Sequence, residues 1–90
     1  MAGWVGMNLM QCRGSSEKLG AQIKSLQGIL NNLDTEVTTI DKSWNGDDSV
    51  LFVNNWRNKD RAEVQDAIRF LTDMKTKLDA EIAEQARASR

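Results

Sequence analysis

A chain of 90 residues that is 40% hydrophobic is long enough for one small folded domain and too apolar to stay disordered. Its net charge of −1, from twelve basic and thirteen acidic residues spread over both halves, lacks the one-sided basic excess of a nucleic-acid binder or a membrane-surface peptide. Histidine is absent and Cys12 is the sole cysteine, so the commonest general base and metal ligand is missing and neither an internal disulfide nor a thiolate zinc cage can form.

The N-terminal segment from Met1 to Met7 is mildly apolar but has no Lys or Arg and no signal-peptidase pattern. Ala2 stands where N-myristoylation needs glycine, and the apolar stretch is far short of the roughly 20 residues that span a bilayer. Export, if it occurs, is expected without a conventional signal peptide and after folding in the cytoplasm, with no stable membrane insertion. Trp4 is expected in a frayed N-terminus, from which it can pack on the end of the helical assembly.

A heptad stripe follows. Leu19, Ile23, Leu26 and Leu30 begin it, and Leu33, Val37, Ile40 and Trp44 continue it, at alternating steps of four and three. This spacing predicts a helix packed along a near-parallel neighbour. The same phase reaches back through Ser16 and Cys12 to Leu9, so the first helix is expected from about residue 8 to 43, about 54 Å long. Gly14-Ser15-Ser16 offers a later start, and Cys12 reads as a small apolar filler or as a reactive thiol.

Residues 44–47 form an elbow. Gly46 suits the left-handed position that ends a helix, while Asp47, Asp48 or Ser49 can cap the next one. The second helix is expected from about residue 48 to 85, with a stripe of Val64, Ala67, Ile68, Leu71, Met74, Leu78 and Ile82. Nearer the elbow, Val50 to Val53 and Trp56 make an apolar ring, and the polar run from Arg57 to Arg61 breaks the pattern. Such a gap fixes packing register or faces water. Asp73, Lys77 and Glu81 are spaced for ion pairs outside the stripe. Two arms of similar length around a tight reversal predict an all-α antiparallel hairpin in a single domain, with Asp60 and Arg61 near Asn31 and Asn32.

The elbow resembles that of the small WXG proteins, the Esx-like (early-secreted-antigen-like) substrates of type VII secretion. Trp44-Asn45-Gly46 lies between the two arms, Phe52 follows the tryptophan by eight residues, and Trp56 follows by another four. The resemblance implies a hairpin that dimerises into a four-helix bundle, with itself or with a related WXG protein, and is exported through an apparatus driven by a secretion ATPase. It also marks Trp44, Gly46, Phe52 and Trp56 as residues for partner or secretion recognition. One departure matters. Many family dimers carry a C-terminal tyrosine with an acid four residues on, whereas this chain has no tyrosine and Phe70-Leu71-Thr72-Asp73 has the wrong spacing. Either a partner supplies that signal, or this chain is recognised differently.

Other motifs read as structure. Asp41, Ser43, Asn45 and Gly46 match the start of a calcium loop, but Phe52 occupies the position of its bidentate glutamate. Asp47 and Asp48 side by side point in different directions and read as capping rather than acid–base residues. Trp44, Phe52 and Trp56 either plug the end of the hairpin or form a docking patch. No nucleophile–base–oxyanion set is present, so the chain reads as a binding protein with no cofactor, small-molecule substrate or nucleic-acid partner. Ile29 beside Leu30 and Ala67 beside Ile68 widen the apolar stripes beyond one seam, which calls for a covering chain. A secreted or secretion-adaptor dimer is the first functional expectation. An intracellular helical adaptor or coiled-coil regulator is the second.

Overall fold

The computed structural model describes residues 7–88, which leaves the expectation for Trp4 outside the described residues. Asn8 caps the first helix: its side-chain oxygen accepts a hydrogen bond from the Gln11 N–H at 3.1 Å. Helix α1 then runs unbroken over Leu9–Ser43, through Gly14-Ser15-Ser16. It ends where Trp44 turns extended, its N–H still donating to the Ile40 carbonyl at 2.9 Å.

Gly46 does not end α1. It is the cap residue of α2 (Asp47–Asn55), with φ 132° and ψ 174°, a backbone conformation that essentially only glycine adopts. Asp47 and Asp48 stand inside the first turn of α2, where negative charge is favoured, and no side chain caps it. Ser49 reverses its expected role: its hydroxyl donates to the Gly46 carbonyl at 2.8 Å.

The second arm is interrupted. Trp56–Asp60 forms a π-helical turn between α2 and α3 (Arg61–Ala88), closed by the Arg61 N–H donating to the Trp56 carbonyl. A π turn holds one residue more than an α turn. The effect is visible in the phase of burial: Val53 and Ile68 are both buried, yet they are separated by two heptads plus one residue. A regular helix continuing from Val53 would instead have carried Ala67 and Met74 inward. Both were expected in the stripe, and both are exposed.

Ser16 lies beside Asp79, Gly20 beside Lys75 and Asp34 beside Arg61, so each forward step along α1 matches a backward step along α3. The arms therefore form an antiparallel hairpin, 65 Å long and 22 × 17 Å across. Arg61 sits nearly one turn closer to the elbow than the expected Asn31, although both line one groove. The seam on α1 is Ser16, Ile23, Leu30 and Val37, one buried residue per heptad. Ile23, Leu30 and Ile68 form the central cluster, with Leu26, Trp56, Val64 and Leu71 packed against it. Leu19, Ile40 and Leu78 are half-buried beside the seam, and Ile82 is buried near the end of α3. Among the described residues, no helix is long and apolar enough to cross a membrane.

Candidate interaction surface

Helical spacing gives the seam two unlike flanks. On one side, Leu19, Gln22, Leu26 and Leu71 line an apolar groove. Ile29 and Leu33 extend that flank one and two turns further along α1, and Met74 extends it on α3, while Phe70, two residues and so about 200° from Ile68, faces away from α1. These four side chains are exposed; Leu33, expected in the core, is 38% exposed and Phe70 is 68% exposed. The physical reason is width. Two helices in contact cover one seam, and residues on the next helical row have no third helix to meet.

The other flank is polar. Gln27, Asn31, Arg61, Gln65, Arg69 and Thr72 line its groove, and two carboxylates bind the arms along it. Asp34 accepts hydrogen bonds from Trp56 Nε1 at 3.0 Å and from Arg61 Nε at 2.8 Å. Trp56 and Arg61 are five residues apart, about 140° around an α-helix, which would aim them differently. The π turn brings both onto Asp34. Partial desolvation raises the Asp34 carboxyl pKa, but the hydrogen bonds from Arg61 and Trp56, with the charges of Arg61 and Arg57, outweigh it and leave the pKa below its ordinary value. Asp79 accepts from Lys75 Nζ at 2.7 Å and from the buried Ser16 hydroxyl. These two hydrogen bonds lower its pKa, with desolvation opposing them. Among the described residues, the ion pair on this stretch of α3 is Lys75–Asp79, while Asp73, Lys77 and Glu81 form none of the pairs their spacing allowed.

At the elbow the aromatic residues part company. Trp44 and Phe52 pack against each other with centroids 6.2 Å apart and planes tilted by 53°. They remain 44% and 47% exposed, so Trp44 is no buried plug. Val50 and Leu51 are exposed beside them, whereas Val53 alone of that ring is deeply buried, at 2% exposure. Trp56 faces the polar flank through Asp34 rather than the tip. Of the four residues marked for recognition, the structure brings Trp44 and Phe52 together, places Gly46 at the turn between them and sends Trp56 elsewhere. Asp41, the first residue of the calcium-like spacing, faces Arg57 at 3.7 Å. Cys12 is half-buried on α1.

No protein-family model, curated protein or solved structure matches the chain.

The residues that sequence reasoning missed are Asp34 and Asp79, together with the pairing of Ser16 and the burial of Ser49. Ser16 and Asp34 lie on or next to the heptad stripe, so polar groups there signalled cross-arm partners. Nothing in one sequence named those partners.

Proposed function

We propose that the chain is a protein–protein interaction module, a type VII (Esx-like) secretion substrate or secretion partner that works as a homo- or heterodimer. The observation that carries this reading is the exposed apolar flank on an otherwise complete hairpin. Ile29, Leu33 and Met74 stand in water beside a seam that is already closed. A second hairpin laid along this flank makes a four-helix bundle and removes the apolar surface from water. The Trp44-Asn45-Gly46 elbow supports the secretion half of the reading, with the exposed Trp44–Phe52 pair as the surface offered to a partner or to the secretion ATPase.

Two measurements test it. The purified chain should sediment at about twice its monomer mass, or order fully on mixing with a related WXG chain. Culture supernatant should contain the protein in the absence of a cytoplasmic lysis marker. A folded monomer with a melting temperature unchanged on extensive dilution overturns the dimer, and retention in the cell overturns the secretion role.

A further inference from the structure

We propose that Asn45 is a site of self-modification, at which the elbow converts its own amide to an acid. The reaction needs an asparagine followed by a residue with a free backbone N–H, space for ring closure, and water. Asn45 and Gly46 are both exposed and lie in the short break between α1 and α2. The neighbouring hydrogen bonds use the Trp44 N–H and the Gly46 carbonyl, which accepts from Ser49 Oγ and the Val50 N–H. Among the described residues, the Gly46 N–H and the Asn45 side chain have no partner. Glycine presents no side chain to hinder closure, and nothing lies within 4 Å of where a Cβ would stand.

The step balances as an intramolecular acyl transfer followed by hydrolysis. The Gly46 nitrogen, losing its proton, bonds to Asn45 Cγ, the Cγ–Nδ2 bond breaks, and ammonia leaves with a succinimide ring behind it. Water then opens the ring at either carbonyl, leaving an aspartyl or an isoaspartyl linkage at position 45. Either product adds a negative charge beside Asp47 and Asp48. The isoaspartyl form also lengthens the backbone by one methylene, at the point that sets how Trp44 meets Phe52. The elbow then acts as a timer on its own aromatic patch. Asn31, Asn32 and Asn54 sit inside α-helices, where the following N–H is tied into the helix, and they serve as internal controls.

The test is peptide mapping by mass spectrometry of the folded chain after incubation at mildly alkaline pH, beside the same chain unfolded in urea. Isoaspartyl methyltransferase labelling gives a second readout. Conversion at position 45 is expected at a rate of the same order in folded and unfolded chains, with Asn31, Asn32 and Asn54 protected by the fold. The Asn45→Gln variant, which keeps an exposed amide, should lose the signal. Folded protein that keeps the Asn45 amide while the unfolded chain converts it overturns the proposal. So does conversion spread evenly over the helical asparagines.

Discussion

Trp44, Gly46 and Asp34 show how single side chains set the elbow and the register. Because Trp44 is only half covered, Trp44→Ala should cost about 1–2 kcal/mol in urea unfolding, from lost apolar contact and the lost ring pair with Phe52. A larger loss would mean that the ring is buried in an assembled form. Gly46→Val should destabilise by about 1–3 kcal/mol, because φ 132° is strained for a β-branched residue. Full retention of the melting temperature would show that the elbow relaxes to another backbone. Asp34→Asn removes a carboxylate bound by two donors and should cost about 1–2 kcal/mol at neutral pH, reduced by the solvent that still reaches it. The Asp34 pKa is lowered on folding, so its ionised form contributes stability above the ordinary value of 3.8. That contribution is lost as pH falls through 3.8 to the lowered value. The gap between wild type and Asp34→Asn should therefore close below about pH 3.8, and a gap unchanged in acid would remove the charge from the account.

At the scale of elements, the π turn decides the second arm. Ser49 and Val53 on α2 and Ile68 on α3 all face α1 only because one extra residue is stored between Trp56 and Arg61. Deleting the exposed Asn58 should therefore let α2 and α3 run as one helix with both seams in place, and thermal stability should hold or rise. Deleting Thr76, within regular α3, should instead rotate Leu78 and Ile82 by about 100° off the seam and cost about 3 kcal/mol or more. If the two deletions cost the same, the π turn is not an accommodated insertion. Asp34 must then be holding the arm by some other means.

For the whole molecule, the unequal flanks matter most. Ser16, Asp34 and Asp79 close the polar side with cross-arm hydrogen bonds, whereas the apolar side ends in Ile29, Leu33 and Met74. The proposed association along that side would tie stability to concentration. Met74→Glu, a change at an exposed position, should leave the monomer's helix content intact and shift sedimentation of the proposed dimer to the monomer mass. The same variant should melt at a temperature independent of dilution. A dimer that survives Met74→Glu together with Ile29→Glu would place the interface elsewhere, and the elbow patch would be the next surface to test.

The sequence by itself determined the hairpin. Alternating steps of four and three from Leu19 to Ile40 specify a packed helix, and the residues around Gly46 specify a reversal, because periodicity and turn chemistry are local properties. The polar run from Arg57 to Arg61 was legible as an interruption, and the elbow motif was legible as a resemblance. Only the tertiary structure decided that the interruption is a π turn and that it turns Trp56 inward onto Asp34, leaving the tip to Trp44 and Phe52. It alone decided that Leu33, Ala67 and Met74 stay in water while Ser16 and Ser49 are buried. A stripe says which residues are apolar. Which of them find a neighbour depends on the rotation of one helix against the other, and here a single inserted residue and two cross-arm carboxylates set that rotation.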